Sequence, residues 1–179
     1  MTAALAALVA PDTLRIERTL PGPIERVWSF LTESDKRKQW LASGDMELHV
    51  GGRVEHVFRN SGLTGNDTPP PAKYANFTRE HVMHGRITHC EPPRVLAYTW
   101  GEGDGASHVR FELDPVDDQV RLWIVHSRLP DRGEILSVGA GWHTHVDILS
   151  DRLQGRVPAG FRATHTRLEA GYERLIPPG

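Results

Sequence analysis

Residues 108–153 read HVRFELDPVDDQVRLWIVHSRLPDRGEILSVGAGWHTHVDILSDRL, and the hydrophobic period changes partway along them. Over 108–113 and again over 120–127, apolar and polar residues alternate, as in Val120, Leu122 and Ile124 followed by His126 on the same parity. That period of two belongs to half-buried strands, and Pro115 through Asp118 supplies the turn between them. Beyond them Ile135, Val138, Trp142, His145, Leu149 and Leu153 recur at three- and four-residue steps. This is the apolar stripe of a helix about five turns long. Gly155 and Pro158 break it.

Working outward, two more strands are expected at about 81–90 and 95–100, separated from their neighbours by Pro92-Pro93 and by the acidic turn Gly101 through Gly105. Strands this closely spaced, with turn residues between them, make an antiparallel meander and not βαβ crossovers. Towards the N-terminus, Leu14 and Ile16 alternate with Arg15 and Glu17 in a strand over about 13–20, stopped by Pro21-Gly22-Pro23. Pro23 opens a helix, where its missing N–H is no loss, and Ile24, Val27, Trp28 and Leu31 give that helix a buried face. Ser34 or Asp35 caps a second short helix to about Leu41. Met46, Leu48 and Val50 read as a strand that turns at Gly51-Gly52 into a second one carrying Val54, His56 and Phe58. Residues 60–73, rich in Gly, Asn and Pro, are too long for a passive hairpin and are expected to be a mobile rim loop. A closing helix over about 161–175 places Phe161, His165, Leu168 and Tyr172 on one side. Residues 1–12 are expected to be a flexible extension, and 13–179 a single domain that includes the extra C-terminal helix at 160–175.

The chain has 179 residues, 39% hydrophobic and 25% charged, with a formal net charge of -2 and a pI near 6.5. These values describe an ordinary globular chain, long enough to bury a core without staples. They supply no basic cluster for nucleic acid, since Glu33 and Asp35 offset Lys36, Arg37 and Lys38. No run approaches the roughly 18 apolar residues of a membrane span. The apolar start of the chain lacks the basic end of a signal peptide, and a single cysteine, Cys90, forbids an internal disulfide. A cytoplasmic location follows as an expectation.

The fold class expected is therefore α+β: a curved antiparallel sheet wrapped around a long C-terminal helix, with two short helices after the first strand. A concave sheet and a straight helix do not mesh everywhere, and the gap is filled by large side chains or by a guest. Phe58, Tyr98, Trp100 and Phe111 share the parity of their apolar strand neighbours, so they face that space either as core or as ligand wall.

Several ordered pieces carry a family resemblance. They are Ile24-Glu25-Arg26-Val27-Trp28, Gly51-Gly52-Arg53-Val54, Gly85-Arg86-Ile87, Glu91 through Trp100, Val120 through His126, and Gly141-Trp142. In this order the chain resembles the bacterial homologues of the heat-shock-protein 90 ATPase activator, a branch of the SRPBCC (START/Bet v 1-like) superfamily. The resemblance spans about 13–175. It implies the helix-grip fold, with a ligand between the sheet and the long helix. It does not fix a reaction, since the superfamily includes lipid carriers, hormone receptors, polyketide cyclases and chaperone regulators, some tied to stress responses. The chain is expected to depart from the eukaryotic activators in lacking their separate N-terminal domain.

A search for chemistry finds little. His143 and His145 point roughly 200° apart on a helix and cannot share an ion, while His143 and Asp147 lack a third ligand. No metal, cofactor or catalytic residue is assigned. Cys90 has no cation or helix N-terminus beside it, and no nucleophile elbow or phosphate loop is present. His126 has inward parity and serves either as a polar anchor for a ligand or as a core histidine bonded to the protein. His145 and His56 share that ambiguity. The leading expectation is non-catalytic binding of a small hydrophobic ligand, lipid-like or aromatic, by Phe58, Tyr98, Trp100, Phe111, His126, Trp142, His145 and Leu149. A cyclase- or aromatase-like enzyme acting through His126, and a chaperone-associated interaction protein, are the alternatives. Trp123, outward in parity, suggests a homodimer contact; a chaperone is the other candidate partner.

Overall fold

The computed structural model describes residues 3–67, 72 and 80–178. In chain order they form β1 (Ala7–Ala10), β2 (Thr13–Pro21), α1 (Ile24–Thr32), α2 (Ser34–Arg37), β3 (Arg53–Phe58), β4 (His81–Glu91), β5 (Val95–Trp100), β6 (Ser107–Val116), β7 (Gln119–Ser127), α3 (Arg132–Leu153) and α4 (Phe161–Leu175). The strands make one seven-stranded sheet in the order β1-β2-β7-β6-β5-β4-β3, antiparallel throughout. The expected helix-grip α+β architecture is present.

The sheet's inner face is set by strand parity. Leu14, Ile16 and Leu20 of β2, Val109, Phe111 and Leu113 of β6, and Val120, Leu122 and Ile124 of β7 are all buried. Against this face lies α3, capped at its start by the Asp131 carboxylate, which accepts from the Glu134 N–H at 2.9 Å. It packs tightly on β2 and α4 at Gly139, where a Cβ would lie 3.2 Å from the Tyr172 ring and 3.4 Å from a Leu14 methyl. A Cβ there would press on both neighbours by a few tenths of an ångström, so glycine suits this meeting of three elements.

The segment around α2 is fixed by a buried cation. Arg37, 1% exposed, donates to the carbonyls of Leu31 and Thr32 at the end of α1, and to that of Gly44. The Leu31 and Thr32 carbonyls belong to the last turn of α1, where no intrahelical donor follows and the negative end of the helix dipole lies. Burial lowers the Arg37 pKa, while Asp45 pulls in the opposite direction. The guanidinium thus ties the 38–44 stretch, including buried Trp40, to the end of α1.

Two expectations require correction. Residues 7–10, read as part of a frayed extension, form β1 on the sheet edge, pairing Ala7 with Arg15 and Leu8 with Leu14. The Ala6 N–H is anchored too, donating to the Tyr172 hydroxyl of α4 at 2.7 Å. Conversely, Met46–Val50 is not a strand. Met46 makes only an isolated bridge with Val54, after which the chain coils into a turn in which the Glu47 carboxylate accepts from the Arg53 N–H at 2.6 Å. Leu48 and Val50 are consequently exposed, and Gly51 adopts φ of +85°. The sheet gains a strand at one end where the sequence had placed one near the other. Of the expected rim loop, 60–62 forms a short 3-10 turn, and residues 68–71 and 73 lie outside the described residues.

Candidate functional site

A cavity of about 190 Å3 opens beneath the first turns of α3. Its described lining consists of Phe58 from β3, Trp100 from β5, His126 from β7, Leu41 after α2, and one face of α3 from Glu134 through His145. Glu134 and Ser137 are exposed, which puts the mouth at the N-terminal end of α3. The walls are aromatic. Trp100 and Trp142 meet edge to face with centroids 5.2 Å apart, and Phe58 packs on Trp100 at 5.9 Å. Behind them Phe111 stands edge-on to Trp142 at 5.5 Å, and Tyr98 stacks on Phe111 at 5.9 Å.

Of the eight residues expected to bind ligand, Phe58, Trp100, His126, Trp142 and His145 border the cavity. Tyr98, Phe111 and Leu149 sit one layer deeper, each 2% exposed or less. Tyr98 does not offer its hydroxyl to the cavity: it bonds His56 Nε2 at 2.9 Å, and burial raises its pKa. Sequence reasoning missed Leu41, Glu134, Ser137, Val138 and Gly141 as lining residues, although Val138 was placed in the helical stripe. The helical stripe could have supplied Ser137 and Gly141, which flank Val138 and Trp142 on α3; Leu41 carries no local signal.

The hydrogen bonds of the histidines decide what the site can do. Trp142 Nε1, which can only donate, lies 2.9 Å from His126 Nδ1. The proton of the neutral ring therefore sits on Nε2, which donates to Ser107 Oγ at 2.8 Å. Burial brings the His126 pKa down to about 4, with a smaller contribution from His108. His126 is thus a neutral imidazole bonded at both nitrogens. His145 differs. Its Nδ1 is 2.7 Å from the Trp40 carbonyl oxygen, which can only accept, so Nδ1 carries the proton and Nε2 bears a lone pair. Burial brings this pKa also to about 4, against the opposing pull of the Trp40 carbonyl. His56 is held well below the usual histidine value, mainly by burial and further by Arg37 and His145.

On the far side of α3, His143 Nδ1 accepts from the Tyr172 hydroxyl at 3.1 Å, and its Nε2 faces the Asp147 carboxylate at 3.4 Å. Arg18 of β2 approaches the same carboxylate at 3.5 Å. This network joins α3, α4, β2 and the segment entering β1. It lies on the opposite face of the helix from the cavity, as the angular separation of His143 and His145 required. Among the described residues no three histidine, cysteine or acidic side chains converge as a metal site. Trp123, the outward tryptophan, donates to Glu17 at 3.1 Å and lies under the Arg121 guanidinium.

Residues 21–154 match the family model described as Activator of Hsp90 ATPase homolog 1-like protein. The chain belongs to this family. The protein encoded by gene BPP1335 from Bordetella parapertussis, solved by NMR, is 40% identical, with 99% of this chain and 95% of that one aligned and a TM-score of 0.81. CalU16 from Micromonospora echinospora has the same fold at 23% identity, covering 91% of this chain and 87% of its own, with a TM-score of 0.65. DynU16, a protein of the dynemicin biosynthetic locus, aligns at 22% identity over 83% of this chain and 49% of its own, with a TM-score of 0.60. No curated protein sequence matches the chain. No helix among the described residues of this family member is long and apolar enough to cross a membrane.

Proposed function

We propose that this chain binds a small, ring-shaped hydrophobic molecule, without transforming it, in the cavity between the sheet and α3. The observation that carries this reading is the cavity of about 190 Å3 walled by the rings of Phe58, Trp100 and Trp142. An enclosed apolar space of about 150 Å3 is enough to hold benzene. Drug-sized ligands occupy roughly 300 Å3 or more, so one or two rings fit here and an extended acyl chain does not. The engaged state of His126 weighs against the cyclase alternative, because both its nitrogens are held by Trp142 and Ser107. A general base needs a free lone pair within reach of substrate.

Titration with a panel of one- and two-ring hydrophobic compounds, followed by tryptophan fluorescence and melting temperature, tests the reading. Trp100 and Trp142 at the cavity wall make fluorescence a direct reporter. Saturable quenching with a rise in melting temperature is expected for at least one compound. No response from any member, or the same response after Trp142→Ala, would remove the support for this site.

A further inference from the structure

Beyond apolar binding, the polar rim of the cavity supports a further inference. It rests on the reading of the cavity as a ligand site, and adds the chemistry of the ligand's polar group. We infer that the preferred ligand is an uncharged hydroxyarene, whose phenolic hydroxyl donates a hydrogen bond to Nε2 of His145.

Four observations lead there. First, His126 has no capacity left, since Trp142 occupies Nδ1 and Ser107 receives the proton of Nε2. Second, His145 borders the cavity while its Nδ1 is committed to the Trp40 carbonyl at 2.7 Å. The 1,3 arrangement of the ring nitrogens turns Nε2 away from that carbonyl, and no described residue is hydrogen-bonded to it. Third, a neutral imidazole nitrogen without a proton only accepts, so the complementary group is a donor. Fourth, Glu134 is the one charged side chain among the described lining residues. A carboxylate ligand would enter past a like charge and lie buried without a cation to balance it. Neither condition affects a phenol, whose ring also has Trp100 and Trp142 to pack against.

The matched series 4-ethylphenol, ethylbenzene and 4-ethylbenzoate tests this by isothermal titration calorimetry at pH 7.5. One additional neutral hydrogen bond corresponds to roughly fivefold in Kd. The phenol is expected to bind about fivefold more tightly than ethylbenzene, and the benzoate more weakly than either. His145→Phe is expected to abolish the preference for the phenol over ethylbenzene. Because a buried substitution can disturb folding, the wild-type protein carries a second readout. With 15N-labelled histidine, the His145 Nε2 resonance is expected to shift upfield with 4-ethylphenol and to stay in place with ethylbenzene. Equal affinity for phenol and ethylbenzene, tighter binding of the benzoate, or an unmoved Nε2 resonance at phenol saturation overturns the hydroxyarene inference and leaves the apolar site standing. Failure of all three compounds to bind removes the ligand-site reading itself.

Discussion

Acidification should unfold this protein well above the carboxylate range, and the magnitude follows from its buried histidines. His126 and His145 are 1% and 6% exposed, and burial holds both near pKa 4. In the unfolded chain the same imidazoles titrate near 6.5. Between about pH 6.5 and pH 4 the unfolded state therefore binds a proton at each residue that the native state refuses. Extra protons on the unfolded side mean that stability falls as pH falls. The contribution is fully present above about pH 6.5 and is lost progressively towards pH 4, below which the native rings protonate as well. At about 1.4 kcal/mol per pH unit per group, lowering the pH from 7.5 to 5 costs about 2 kcal/mol for each histidine, or about 4 kcal/mol for the pair. His56 and His143, also depressed by burial, act in the same direction. Asp147, whose carboxyl is pushed up by burial, opposes them only nearer the carboxylate range. The assay is urea unfolding at pH 7.5 and pH 5 at constant ionic strength, comparing extrapolated stabilities and checking that the slope with denaturant is unchanged. His126→Gln provides the internal test, since its removal should lower the pH dependence by one proton, about 1.4 kcal/mol per unit between pH 4.5 and 6. Equal wild-type stability at the two pH values, or an unchanged pH slope in the variant, refutes the assignment of these rings as buried and neutral.

Other expectations concern the packing around the site. Gly139→Val drives a side chain into the Tyr172 ring and Leu14 and should cost about 2–3 kcal/mol, measured as a drop in melting temperature. Arg37→Met strips the partner from the Thr32 and Gly44 carbonyls and should cost about 2–4 kcal/mol by chemical denaturation, whereas a loss under 0.5 kcal/mol would show the guanidinium to be dispensable. Tyr172→Phe deletes the acceptor of the Ala6 N–H, so amide exchange in 6–10 should speed up about tenfold while exchange in β5 and β6 is unaltered. Leu149→Ala, one layer behind the cavity, should cost about 2–5 kcal/mol of stability and leave affinity for a bound ring compound within about twofold.

The elements that carried their own period were legible in the sequence. Strand alternation in 108–113 and 120–127, and the three- and four-residue steps of 135–153, give β6, β7 and α3 within a few residues of their observed limits. Alternation also orients Phe58, Trp100 and His126 to the inner face, because a period of two leaves each side chain only two directions. β1 was not legible. Four apolar residues have no distinctive period, and they become a strand only because β2 and the Tyr172 hydroxyl, 166 residues from Ala6 in the chain, are there to pair with them. Met46–Val50 erred the other way, as its alternation was real but the Glu47–Arg53 turn took up the backbone a strand would have used.

Chemistry divides along the same line. Sequence placed three inward histidines at 56, 126 and 145 but could not distinguish them. The distinction lies in partners remote along the chain: Tyr98 for His56, Trp142 and Ser107 for His126, and the Trp40 carbonyl, 105 residues away, for His145. Which nitrogen holds the proton depends on whether the neighbouring group donates or accepts, and that neighbour is chosen by how sheet and helix dock. Composition and periodicity act locally and determined the elements that carry their own period; β1, the ring tautomers, the size of the cavity and its mouth at Glu134 arise from contacts that exist only once the chain has closed on itself.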